Sequence, residues 1–226
     1  MQRLPWWAFF IGILTAGSLP GAGVAPPAAG AAEAMPLERA REMAVKSPDR
    51  ETRLQAVQVL GARGTMAEVP ILVQALRDPD DVTRALAEDA LWQIFLRSGD
   101  PETDRLTQEG IRRMQQGELA EAVGLFSQAV ARAPKYPEAY NKRATAYYLM
   151  NRFAESIEDC ERTLALNPWH FGALSGEGLN YAALDQPRRA LEFFERALAV
   201  HPYLEGARRN AELLRKYLAT LQRDSL

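Results

Sequence analysis

Histidine, cysteine and serine are the side chains from which this sequence could build a reactive centre, and their settings are poor. His170 and His201 stand beside prolines, in Asn167-Pro168-Trp169-His170 and His201-Pro202. A structural or catalytic metal needs three or four ligands at matched spacing, and no carboxylate set accompanies either histidine. Both are expected on turn surfaces. Cys160 is the single cysteine, which excludes an intrachain disulfide and a cysteine metal cluster. Ser175 lacks the Gly-x-Ser-x-Gly strand–turn–helix frame that activates a serine nucleophile. Gly176-Glu177-Gly178 looks like part of a dinucleotide fingerprint, but no strand precedes it and the third glycine is missing. Carboxylates are plentiful and read as helical-surface charges. No catalytic residue, metal site or cofactor follows from these residues.

Composition narrows the remaining classes. With 47% apolar and 25% charged residues among 226, the chain is too apolar for wholesale disorder. A net charge of −2 gives no basic footprint for a nucleic acid. The aromatic residues do not alternate with basic ones, so no stacking platform for bases is expected.

The architecture is declared by repetition. Pro134, Pro168 and Pro202 recur at a step of 34 residues. The same step links the small residues Ala122, Ser156 and Ala190, the apolar Phe126, Cys160 and Phe194, and the small Gly110, Ala144 and Gly178. On these residues the chain resembles the tetratricopeptide repeat family, in which a 34-residue helix–turn–helix unit carries small residues where helices cross. The resemblance implies an all-α fold, a right-handed α-α superhelix (solenoid) of helix-turn-helix repeats. Units are expected at 103–136, 137–170 and 171–204, with helix pairs near 102–115/119–132, 138–150/153–166 and 171–184/187–200. A cap helix over 204–222 covers the last apolar face.

A second repetition precedes the array. Ser47-Pro48-Asp49 and Asp78-Pro79-Asp80 align at a step of 31, which continues through Arg53/Arg84, Ala56/Ala87 and Leu60/Leu91. Asp-Pro-Asp stops one helix and caps the next. This segment is similar to the HEAT-type helical repeat, with helices expected near 37–46, 50–62, 68–77 and 82–97. An unrelated four-helix cap is the alternative. The domain reading is therefore residues 1–35 as a leader and linker, 36–101 as HEAT-like repeats, and 102–226 as three tetratricopeptide units with their cap.

In the first 35 residues, Arg3 precedes the apolar run Trp6–Leu14, which ends at Gly17, Pro20 and Gly21. That is short of the ~20 residues of a spanning helix. A small-residue linker follows, with Ala29-Gly30-Ala31 and Ala32-Glu33-Ala34 as cleavage candidates. The order matches a secretory signal peptide and predicts a periplasmic or secreted protein. The alternative is an uncleaved tether, the chain's sole contact with a membrane.

Family resemblance implies that the second, fifth, ninth and twelfth positions of each repeat face a concave groove. These are Asp104, Thr107, Ile111 and Met114, then Glu138, Asn141, Thr145 and Tyr148, then Gly172, Ser175, Leu179 and Ala182, with Arg209 and Leu213 from the cap. Asn141, Thr145 and Tyr148 also share one helical stripe, because steps of four and three return to the same face. Ser175 and Leu179 continue the stripe, and Arg209 with Asn210 closes it. Gly172 and Gly176 leave a low floor, expected to admit a bulky ligand side chain, and Tyr148 would be the aromatic anchor. Chaperone-binding members of the family hold a terminal carboxylate with Lys and Asn on the first repeat and Asn on the second. Thr107, Ile111 and Lys142 occupy those places here, so that clamp is absent.

Other details follow from the alignment of repeats. Glu109, Arg143 and Glu177 share one repeat position; a charge ladder bridging the repeats is one reading of them, and three solvent-facing charges is the other. Glu109 and Arg113 are spaced to pair along one helix. Ser156 and Thr163 replace alanines with hydroxyls that would bond back to helix carbonyls, and Cys160 reads as a small buried hydrophobe. The function expected is a non-catalytic scaffold or adaptor of the cell envelope that docks a protein segment in the groove. A structural subunit using its outer or end faces, or an enzyme accessory factor, is the alternative.

Overall fold

The computed structural model describes residues 35–224, and every regular element among them is helical. The expected leader and its cleavage sites lie outside the described residues. The chain divides into two compact units, one ending at Arg97 and one beginning at Ser98.

The first unit contains α1 (Leu37–Lys46), α2 (Arg50–Arg63), α3 (Val69–Ala75) and α4 (Asp81–Phe95). Each Asp-Pro-Asp-like turn works as its sequence implies. Asp49 accepts a hydrogen bond from Thr52 N at 2.9 Å and Asp80 from Thr83 N at 2.8 Å, capping α2 and α4. Arg53 and Arg84 then bind the carbonyls of their own turns: Ser47 and Pro48 for the first, Asp78 and Pro79 for the second. Arg53 also donates to both carboxylate oxygens of Asp78, at 2.7 and 3.1 Å, tying one turn to the next. The third helix is shorter than expected at both ends. A single 3-10 turn at Met66–Glu68 precedes it, set by a capping box in which Thr65 and Glu68 exchange hydrogen bonds. Leu60, Leu72, Leu76, Leu91 and Phe95 fill the core between these helices.

The second unit is an α-solenoid of three helix pairs and a final helix. The pairs are α5 (Pro101–Gln115) with α6 (Leu119–Arg132), α7 (Pro137–Leu149) with α8 (Phe153–Leu166), and α9 (Phe171–Ala183) with α10 (Pro187–Val200). The helix α11 (Glu205–Asp224) follows and packs on α10. Within each pair the turn carries a residue in the left-handed region: Gly117 at φ 81°, Asn151 at 58° and Asp185 at 56°. These three recur at the 34-residue step, and glycine, asparagine and aspartate are the types that tolerate this conformation.

Packing repeats as the sequence does. The Phe126 ring lies against Gly110, where an added Cβ would come within 2.5 Å of it; the Phe194 ring lies nearly as close to Gly178, at 2.8 Å. Ala122, Ala129, Ala190 and Ala197 have no exposed surface, so the helices of each pair approach closely. The first helices α5, α7 and α9 also touch one another along the stack more than the second helices do. The array therefore curves with its first helices on the inner side.

The charge ladder does not form. Arg143 turns to its own partner helix and donates to both oxygens of Asp159, at 2.7 and 2.8 Å, and to Ser127 Oγ at 3.1 Å. Glu109 pairs with Arg112 and, as expected, with Arg113 at 2.9 Å. Glu177 is left buried, with no hydrogen-bond partner for either oxygen. Repeat three has Phe193 where repeat two has Asp159, so the ion pair of one repeat has no counterpart in the next. The histidines are also displaced from expectation. His170 has no exposed surface and His201 is 3% exposed, because both rings turn inward, His170 onto Glu138 and His201 onto Phe171. The His201 ring meets Phe171 edge-on at 5.1 Å.

Candidate functional site

The inner side of the second unit is built on α7 and α9. Four of the expected groove residues, Asn141, Thr145, Tyr148 and Leu179, line one small open pocket between these helices, with Gly172 and Gly176 at its floor. The pocket holds about 30 Å³. The low floor is present, but the room suits a small group and not the bulky side chain expected. Ser156, Cys160 and Asn180 complete the walls, and none of the three was expected there. Their signal lay in the alignment of repeats: Ser156 and Cys160 stand where the other units keep alanine and phenylalanine.

The remaining groove candidates divide. Ser175 and Ile111 are half-buried and lie outside the pocket, and Ile111 packs on the Ala122–Phe126–Ala146 cluster. Arg209 is exposed. Thr107 is 1% exposed and donates its hydroxyl hydrogen to Thr103 O at 2.9 Å; Asn210 has no exposed surface at all. Burial removes those two from the set that a docked segment touches. Tyr148 is half-buried, and its ring lies 5.7 Å from that of Phe153, which holds it upright on one side.

Beside the pocket is a buried polar cluster that sequence reasoning missed. Glu138 and His170 are both fully buried, with His170 Nε2 2.7 Å from Glu138 Oε2. His170 Nδ1 accepts a hydrogen bond from Ala173 N at 3.1 Å, capping α9. The ring proton is therefore on Nε2, which donates to Glu138. Lys142 Nζ lies 3.0 Å from the other carboxylate oxygen. Burial by itself would push the Glu138 carboxyl up; Lys142 and His170 outweigh it and hold the group ionised, well below the usual range. Asn141 Nδ2 donates to Glu138 Oε2 at 3.2 Å. Because a carboxylate only accepts, this bond turns the Asn141 amide so that its oxygen is left to accept from elsewhere. The only advance sign of this cluster was Lys142 standing four residues after Glu138 on one helix.

The hydroxyls also behave differently from expectation at one of two positions. Thr163 donates back along its own helix to Asp159 O at 2.8 Å. Ser156 instead donates across the pair to Ala144 O at 2.9 Å. Cys160 is 2% exposed, and burial raises its thiol pKa well above the usual value, consistent with an inert packing residue. Among the described residues no three His, Cys, Asp or Glu side chains are placed to hold a metal ion.

Known proteins share parts of this architecture. The HEAT repeat profile matches residues 27–92 and the tetratricopeptide repeat profile residues 107–168. A TPR repeat-containing protein of Rhizobium etli is 30% identical over 144 residues, covering 63% of this chain and 69% of that protein. The Hsp70-Hsp90 organizing protein of Triticum aestivum is 30% identical over 103 residues, 46% of this chain but only 18% of that protein's length. Among solved structures, the first TPR of Spaghetti bound to an HSP90 peptide superposes with a TM-score of 0.51 at 27% identity, over 52% of this chain and 94% of that one. The 34-residue period, the glycine–phenylalanine crossings and these similarities agree: the chain belongs to the tetratricopeptide repeat family, with HEAT repeats ahead of its tetratricopeptide array.

Proposed function

We propose that this protein is a non-catalytic adaptor that docks a segment of another protein along the inner face of its tetratricopeptide array, centred on α7 and α9. The observation that carries this reading is the convergence of Asn141, Thr145, Tyr148 and Leu179 on one open pocket. An amide oxygen, a hydroxyl and an aromatic ring beside a low glycine floor suit an extended peptide: polar groups for its backbone, a ring for its side chains. The peptide held by Spaghetti, a protein similar over half of this chain, gives the same reading from outside. The occupant here is not a chaperone tail, since Thr107, Ile111 and Lys142 replace the residues that would grip its carboxylate, and Lys142 is engaged with Glu138.

Site-specific photocrosslinking tests it. A benzophenone side chain at Thr145 is expected to capture one discrete partner in cells, whereas the same group at Glu158, exposed on α8, captures none. The reverse pattern would place binding on the outer face. Tyr148→Ala is expected to weaken the captured partner's affinity by about thirtyfold, the usual cost of truncating an aromatic anchor.

The cell envelope is the compartment we propose, on the strength of the apolar run Trp6–Leu14 and the small residues after it. Mass spectrometry of the envelope fraction should find a chain beginning between Val24 and Met35. Full-length chain in the membrane fraction would support the tether instead.

A further inference from the structure

The pocket exists because one repeat breaks the packing rule of the other two. In repeats one and three a phenylalanine ring, Phe126 or Phe194, fills the helix crossing and needs a glycine opposite it. Repeat two has Cys160 and Ala144 at those places. Replacing a ring by a thiol removes far more volume than one added methyl restores. The deficit remains as the space of about 30 Å³ between α7 and α9, roughly one to three heavy atoms by the volume a water occupies.

The walls around that space have spent their donors. Asn180 Nδ2 donates to Ser156 Oγ at 2.8 Å and to Gly176 O at 3.0 Å. Ser156 gives its one hydrogen to Ala144 O, and Thr145 gives its own to Asn141 O at 3.0 Å. Asn180 has no exposed surface, so its Oδ1, although without a partner in the protein, is closed to a ligand. Asn141 is 6% exposed, and with its Nδ2 given to Glu138 its Oδ1 is left to accept. The remaining wall is apolar: Cys160, Ala144 and Leu179. A group that satisfies this pocket is small, carries a hydrogen-bond donor, and has an apolar side.

We propose that the pocket is a side-chain subsite for a threonine or serine of the docked segment, whose hydroxyl donates to Asn141 Oδ1. In the threonine case the methyl group lies against Cys160 and Leu179. The valine isostere fits the same volume but leaves the Asn141 oxygen covered without a donor, which costs more than the lost bond alone. This rests on the groove reading above, because it assigns one position of the peptide that the groove holds.

The test uses a phage-displayed library of random twelve-residue peptides, panned against the full chain, with affinities of selected peptides read by fluorescence anisotropy. Selected peptides are expected to share a threonine or serine at one position, and threonine-to-valine there to weaken binding about tenfold or more. Gly176→Ala fills the pocket without a clash, since its Cβ would sit at 3.4 Å from Cys160 Sγ. That variant should bind the threonine peptide about tenfold more weakly and no longer separate it from the valine peptide. Peptides that require Tyr148 yet accept valine, or that ignore Gly176→Ala, overturn the subsite and leave the groove standing. Peptides indifferent to Tyr148→Ala, or a library without binders, overturn both. A water that alone occupies the pocket when the selected peptide is bound also overturns the subsite.

Discussion

Glu177→Gln should stabilise the protein at pH 8 far more than at pH 5. Glu177 is 1% exposed, and neither carboxylate oxygen has a hydrogen-bond partner. Burial, and then the charge of Glu161, pushes the carboxyl up to about 7, with Arg196 and Arg189 pulling back only in part. Unfolding returns the group to an ordinary value of 4.5. The folded chain therefore keeps its proton over a range in which the unfolded chain has lost it. Stability that is complete below pH 4.5 is lost progressively as the pH rises through 7. The interval corresponds to about 3 kcal/mol, most of it falling between pH 5 and pH 8. Glutamine keeps the shape and does not ionise, so it escapes this loss. Urea unfolding of both proteins at the two pH values isolates the effect, because other titrating groups cancel in the difference. The stability gap should widen by about 2–3 kcal/mol on going to pH 8, a shift in melting temperature on the order of 10 °C. Parallel stability curves for the two proteins would refute the burial argument.

Three further outcomes follow from the packing. Cys160→Phe should cost about 1–3 kcal/mol because Ala144 stands where the other repeats leave a glycine, and adding Ala144→Gly should recover at least half of it; additive urea-unfolding energies would contradict the repeat register. Gly178→Ala, whose Cβ would lie 2.8 Å from the Phe194 ring, should lose about 1–3 kcal/mol. Gly124→Ala, with open space around it, should gain up to about 1 kcal/mol, and equal melting shifts for the two would rule this packing out. Arg143→Ala leaves the buried Asp159 carboxylate without its partner and should cost about 3 kcal/mol. Double-mutant cycles should then couple Arg143 to Asp159 and not to Glu177, and coupling to Glu177 instead would restore the ladder.

Much of the architecture was legible in the chain because its signals are local. Pro134, Pro168 and Pro202 mark where helices stop; Gly117, Asn151 and Asp185 supply the left-handed turn residue; Asp49, Asp80 and Asp100 accept from the first free amides of their helices. Each of these acts within about four residues, the span of one helical turn. The small and large residues at helix crossings were legible for a related reason: repetition at a constant step reports which face is buried. The stripe Asn141, Thr145, Tyr148 followed from helical period alone.

What a buried side chain touches was decided only by the tertiary structure. Glu109, Arg143 and Glu177 share a repeat position, yet Arg143 reaches Asp159, sixteen residues away on the paired helix, because the nearest carboxylate across a close helix pair is nearer than the next repeat. His170 looked like turn surface and instead caps α9 while donating to Glu138, thirty-two residues earlier. The pocket is the clearest case. Sequence showed Cys160 in place of phenylalanine and Ala144 in place of glycine, but whether neighbouring helices close over that deficit depends on backbone shifts of about an ångström. Periodicity names the face that is buried; only the distances between helices determine which partners meet there and how much room is left.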